Sequence, residues 1–312
     1  MVQMAAYSRY SESMQQAQLA EGPVWLSGER ALAWVDIPSG YVYWKGAAGS
    51  GTLERVTEKV SAVIPRALGG YVYPGQRHLW KSMSEETLPV SICKLVEEPL
   101  GNRCNDAKCD PWGNLWFGTM DDSECAHSGA LWCLGADGHL RRLLHDVGVS
   151  NTLAWDLARG RMYFGDSMRR VIWAFELRGC EQAPELGEAT ALVGSSQAPG
   201  FPDGSAIDGQ GCLWNARWDG SCIVRLNPDG RWLETLHVPL RRPTSCCFGG
   251  EGLQQLFVTS AAGDGELDGH VLQLEVQVAG SPIPAFSGTT VTNVEVSASR
   301  SAGLLPQLEK VA

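Results

Sequence analysis

The chain has 312 residues, a net charge of −10 and a pI near 5.1, which argues against a nucleic-acid or polyanion partner. With 44% hydrophobic and 19% charged residues it is suited to bury a core rather than stay disordered. No run approaches the ~18 apolar residues of a membrane helix, so no membrane partner is expected.

Residues 1–19 read as a short polar lead into the first strand. They carry no basic start followed by an apolar stretch, so they do not read as a signal peptide, and a cytoplasmic location is expected. The ten cysteines form no C-x-x-C pair, and several sit inside apolar runs. They read as free, packed thiols.

From residue 20 onward, Gly and Pro punctuate runs rich in β-branched, aliphatic and aromatic residues. In chain order these are ALAWVD (31–36), YVYWKG (41–46), NLWFGTM (114–120), GALWCL (129–134), RMYFGDS (161–167), VIWAFEL (171–177), CLWNARW (212–218), CIVRLN (222–227) and LFVTSA (256–261). Such runs are strand signals, and no stretch shows a sustained helical period. Asp137-Gly138 and Asp229-Gly230 supply the positive φ that tight hairpins need. The turns DPWGN and DGQGC are placed before innermost strands. Similar units open near residues 21, 61, 105, 151, 203 and 244, about 40 to 50 residues apart. That spacing predicts an all-β chain, a six-bladed β-propeller formed as one domain over residues 20–312.

Glu21, Asn105, Asn151 and Asp203 hold matching places at the openings of four units. If the units pack around an axis, four oxygen-bearing side chains converge in the central channel. Any one of them has an ordinary reading as a turn residue; it is their recurrence at one topological place that points to a site. Two carboxylates and two carboxamides suit one hard divalent ion, Ca²⁺ first, with Zn²⁺, Fe²⁺, Mn²⁺ or Mg²⁺ as alternatives. The units near 61 and 244 carry no comparable acid. The ion is therefore expected off-centre, with the opposite side of the channel free for substrate.

Several stretches resemble the regucalcin/gluconolactonase (senescence marker protein) family. They are AEGPVW (20–25), RCNDAKCDPWGNLWFGTM (103–120), SGALWCL (128–134), GVSNTLAW (148–155), FPDGSAIDGQGCLWNARWDG (201–220) and RPTSCCFGG (242–250). Within the family, the chain looks nearest to bacterial sugar-acid lactonases of the gluconolactonase or xylonolactonase type. The resemblance implies a six-bladed propeller with one divalent ion in its channel. Carried over by motif, Glu21, Asn151 and Asp203 would bind that ion, Asn105 would serve both ion and substrate, and Asp203 would act as general base. Arg103 would contact substrate, and so would an acid of the loop after G-T-M, where Asp121, Asp122 and Glu124 are the candidates and Asp122 and Glu124 the two put first. The chain departs from the family's pattern at Ala107 and Thr152, where glycine is usual.

The expected activity is metal-dependent hydrolysis of a sugar-acid lactone to the aldonic acid by a monomer or weak dimer. Two other readings are phosphotriester or aryl-ester hydrolysis at the same ion, which would need a larger apolar rim, and a non-catalytic calcium-binding regulatory propeller. No G-x-S-x-G elbow is present, so a serine hydrolase is not indicated.

Overall fold

Each apolar run picked out above is the second or third strand of an antiparallel sheet. The computed structural model describes residues 4–12, 14–46, 52–55, 58–83, 88–288, 295–296 and 303–306. Blade one comprises Ala20–Leu26, Ala31–Asp36, Tyr41–Gly46 and Thr52–Arg55, and blade two Ile64–Pro65, Tyr71–Pro74, His78–Ser82 and Val90–Lys94. Blade three runs through Asn102–Cys109, Leu115–Asp121, Gly129–Leu134 and His139–Val147. Blade four is Ser150–Asp156, Arg161–Asp166, Val171–Cys180 and Ala183–Ala191, and blade five Phe201–Ile207, Leu213–Trp218, Cys222–Leu226 and Trp232–His237. Pro243–Gly249, Gln255–Ser260 and Leu272–Glu275 begin blade six.

The middle strands read as apolar because both their faces are covered by neighbouring blades. Six apolar clusters fill the six blade–blade interfaces. Trp116 meets Trp155 edge-on between blades three and four, and Trp25 stacks on Phe257 between blades one and six. Each cluster joins one sheet to the next, so side-chain burial is the main contribution holding the ring together.

The innermost strands are more polar than the sequence pattern anticipates. They are the first strands of each sheet, and Glu21, Asn105, Asn151 and Asp203 lie within them rather than in loops before them. The DPWGN and DGQGC turns follow these strands, where the sequence reading put them before. Asp110 and Asp208 organise those turns. The Asp110 carboxylate accepts the Trp112 and Asn114 N–H groups and, at 2.8 Å, the Trp116 indole N–H. Asp208 does the same with Gln210, Cys212 and Trp214.

The lead is not outside the propeller. Tyr7–Arg9 pairs with Leu272–Glu275 as the outer strand of blade six, with Tyr7 opposite Leu274 and Arg9 opposite Leu272. Blade six is thus made from both ends of the ring, which closes it. After Glu275 the chain leaves the blades and crosses the end of the channel opposite the candidate ligands. Gly280 bridges Asp208, Phe286 bridges Arg66, and the Ser287 N–H reaches the Gly113 carbonyl. Glu295–Val296 and Gly303–Leu304 then add in parallel to the outer strand of blade three. The end of the expected domain, 307–312, lies outside the described residues. All ten cysteines are free, as their setting in the sequence suggested. No helix among the described residues is long and apolar enough to cross a membrane.

Candidate active site

The ladder between first and second strand slips at the same place in four blades. The register shifts between Glu21 and Val24, Cys104 and Ala107, Asn151 and Leu153, and Pro202 and Ser205. A bulge leaves a residue unpaired and re-aims its side chain; here Asn105 and Asp203 are themselves unpaired, while Glu21 and Asn151 are the last paired residues before their bulges. Blade six has the same slip between Pro243 and Ser245. Its bulge residue is Thr244, whose hydroxyl donates to the Ala20 carbonyl at 2.5 Å. In blade two, Ser61 donates to the Pro74 carbonyl.

Two of the bulges use left-handed backbone. Gly22 follows Glu21 at φ 53°, and a Cβ there would lie 2.8 Å from the Ser61 carbonyl oxygen. Thr152 follows Asn151 at the same φ of 53° although it is β-branched and fully buried. That conformation costs a non-glycine residue about 1–2 kcal/mol.

The four side chains open into one cavity of about 210 Å³. Blade one supplies Leu19 and Glu21; blade three Arg103, Asn105, Met120 and Glu124; blade four Val149, Asn151, Ser167 and Met168; blade five Phe201, Asp203 and Trp218. Among the described residues, blades two and six contribute none to the lining, so the space lies over the candidate ligands, not across the channel from them as the sequence suggested. The sequence reading did not single out Ser167, Phe201, Met120 or Met168.

Hydrogen bonds tie the polar residues into a chain. Arg103 Nη1 donates to Asn105 Oδ1 at 2.7 Å, and Asn105 Nδ2 donates to Asn151 Oδ1 at 3.1 Å and to the Ser150 carbonyl. Asn151 Nδ2 donates to Ser167 Oγ at 2.8 Å, and Ser167 in turn donates to the Pro202 carbonyl. Both carboxamides therefore present fixed oxygens. Of the two acids expected to meet substrate, Glu124 lines the cavity and Asp122 does not. The Asp122 carboxylate is engaged by Arg103 Nε at 2.7 Å and by Lys59, so it orients Arg103 from behind.

Glu21 and Asp203 are buried and each accepts the N–H of the residue that follows it, at 2.9 and 3.0 Å. Burial, then the charge of Asp106, pushes the Glu21 carboxyl above the usual carboxylate range. Burial, then Glu21 and Asp106, does the same to Asp203. Lys108 and Arg103 offset this crowding at Glu21 only in part. Arg103 directs Nε to Asp122 and Nη1 to the Asn105 amide, and Lys108 reaches the Ser205 carbonyl. A cluster of buried, mutually repelling acids beside two oriented amide oxygens fits a divalent cation, which removes the repulsion and takes all-oxygen donors. Asp106, which the sequence reading passed over, holds the Leu153 N–H and adds negative charge nearby.

Comparison with known proteins follows the same lines. The family model described as the SMP-30/gluconolactonase/LRE-like region matches residues 19–262. A 6-deoxy-6-sulfogluconolactonase of Pseudomonas putida is 31% identical over 287 residues, covering 88% of this chain and 97% of that protein. A pentonolactonase of Haloferax volcanii is 31% identical over 261 residues, covering 80% of this chain and 84% of that protein. Among solved structures, a calcium-binding protein, regucalcin, of Agrobacterium tumefaciens superposes with a TM-score of 0.84 at 23% identity, over 92% of this chain and 99% of that one.

Proposed function

The chain belongs to the SMP-30/gluconolactonase/LRE-like family, and from that membership we propose that it hydrolyses a sugar-acid lactone with one divalent ion held by Glu21, Asn151, Asp203 and Asn105. The lactonases of Pseudomonas putida and Haloferax volcanii, each aligned over at least four-fifths of this chain, support the reaction class. The observation that carries the site is the coincidence of four bulges with four oxygen-bearing side chains around one cavity.

When bound, the ion would draw electron density from the lactone carbonyl and favour the charge that develops on its oxygen. Asp203 takes the proton of the attacking water, a role suited to a carboxylate held in a buried site. Arg103, fixed from behind by Asp122, donates to substrate hydroxyls. Asn105 and Glu124, from the same blade, take the others. The 276–288 segment crosses the far end of the channel, and the mouth beside the candidate ligands is the route for substrate and product.

Calcium is the first choice of metal for an all-oxygen donor set, with zinc, iron, manganese and magnesium as alternatives. The apolar residues Leu19, Val149, Phe201 and Trp218 at the mouth favour one second reading, aryl-ester or phosphotriester hydrolysis at the same ion. Side-by-side turnover of gluconolactone, xylonolactone and paraoxon by the calcium-loaded protein separates the two. Lactone turnover well above that of paraoxon is expected, and the reverse order would favour the second reading.

A further inference from the structure

The cavity has a second tier, one step nearer the mouth than the ligands, and that tier is mostly apolar. Alternate residues of a strand share a face and stand about 6.7 Å apart along it. Two positions before each candidate ligand are Leu19, Arg103, Val149 and Phe201, and all four line the cavity. Three of the four are apolar. Trp218 sits opposite Phe201 in the ladder and extends the same wall. A guanidinium lies over each ring, that of Arg170 4.4 Å from the Phe201 centroid and that of Arg242 5.1 Å from the Trp218 centroid. The rings are thereby held as fixed surfaces. Polar side chains in this part of the cavity are Arg103 and Glu124 of blade three and Ser167 of blade four, whose hydroxyl is already engaged by the Asn151 amide and the Pro202 carbonyl.

This division constrains the substrate. In an aldonolactone the carbonyl end must meet the ligand ring, and the ring hydroxyls need donors and acceptors. Arg103, Asn105 and Glu124 offer both. The terminal exocyclic carbon is carried beside the ring oxygen, on the edge away from the C2 and C3 hydroxyls, so with those hydroxyls turned to blade three it reaches the upper tier on the side of Leu19, Val149, Phe201 and Trp218. A hydroxyl on that carbon would leave water for a mostly apolar wall, which costs free energy. A methyl there would be stabilised by the same wall.

Resting on the lactonase reading above, we infer that the preferred substrate is a 6-deoxy aldonolactone, a lactone whose terminal carbon is a methyl group. The Leu19–Val149–Phe201–Trp218 wall is the specificity element that reads it.

The test is kcat/KM of the metal-loaded protein on matched pairs: the 6-deoxy and parent lactones of the gluco, manno and galacto series. A hydrophobic wall discriminates against one added hydroxyl by about 10- to 100-fold. The 6-deoxy member is expected to lead by that factor in every pair that is turned over. Equal rates within the pairs, or a lead for the parent, would overturn the inference while leaving the lactonase reading intact. Turnover of no lactone at all would overturn both. Val149→Thr keeps the side-chain shape and adds a hydroxyl. It is expected to narrow the 6-deoxy lead, chiefly through KM, as is Phe201→Ser. An undiminished lead in both variants would show that this wall does not read the terminal carbon.

Discussion

The Thr152 hydroxyl donates to the Asp203 carbonyl oxygen at 2.6 Å, from blade four to blade five. The same hydroxyl lies 2.9 Å from Ser205 Oγ and accepts from Asn215 Nδ2 at 3.2 Å. The residue behind one candidate ligand thus fixes the backbone of another. Two opposing costs set the outcome at this position. Left-handed backbone strains a β-branched residue by about 1–2 kcal/mol, whereas its buried hydrogen bond contributes about 0.5–1.5 kcal/mol. Thr152→Gly is therefore expected to leave stability almost unchanged, because relief of strain offsets the lost bond. Thr152→Val keeps the strain and loses the bond, and thermal denaturation should place it about 1–3 kcal/mol below the parent. Equal melting temperatures for the two variants would contradict this.

Arg217 stands below that junction, fully buried on the second strand of blade five. It donates to Asn215 Oδ1 at 2.8 Å and to the carbonyls of Ser195 and Pro199 at 2.9 Å. Asn215 in turn holds the Asp203 carbonyl at 2.8 Å. Burial lowers the Arg217 pKa to about 10, which leaves it charged at neutral pH. Lysine lacks the planar fork that serves these acceptors together. Arg217→Lys is expected to lower the urea midpoint by an amount worth about 2–3 kcal/mol and to weaken metal binding through Asp203. A variant with unchanged metal affinity would show that Arg217 supports the loop alone.

Much of this architecture is legible in the sequence. The turn-and-strand units place all six blade starts within a few residues, and the four candidate ligands stand out by their recurrence. Three features are not legible. The innermost strands mix ligands with apolar residues, so they resemble turns leading into the apolar strands that follow. Tyr7–Arg9 is too short to show an alternation, and its partner lies at the far end of the ring. Phe201 and Val149 read as ordinary strand residues because nothing local shows that they stand one step above a ligand.

Glu21→Gln should act in opposite directions with and without metal. In metal-free protein it removes one of the buried, mutually repelling carboxyl groups, so the melting temperature is expected to rise. With metal bound it removes a donor, so the stabilisation that the ion confers should shrink. Calorimetry with and without Ca²⁺ reads both effects. A variant that gains as much from metal as the parent would exclude Glu21 as a ligand.

The ring closure carries its own pH dependence. Arg9 can only donate, so its 2.8 Å contact requires an unprotonated Nε2 on His270, with Nδ1 donating to Ser11 Oγ at 3.1 Å. Burial, then the charge of Arg9, lowers the His270 pKa in the folded protein. The unfolded chain therefore binds the proton more readily. The stability this contact provides is present above the ordinary histidine range of about 6.5 and is lost as pH falls below it. Thermal denaturation between about pH 7.5 and 5 should show this decline, and His270→Asn should flatten it. A decline of equal slope in the variant would place its origin elsewhere.

The central claim is that Glu21, Asn105, Asn151 and Asp203 hold one ion without which the lactone is not turned over. The most direct measurement is lactonase activity of chelator-stripped protein during titration with Ca²⁺. Activity is expected to vanish on stripping and to return fully at one equivalent of metal, with Asp203→Asn remaining at least about 100-fold slower at saturation. Undiminished turnover by the stripped protein would contradict the claim.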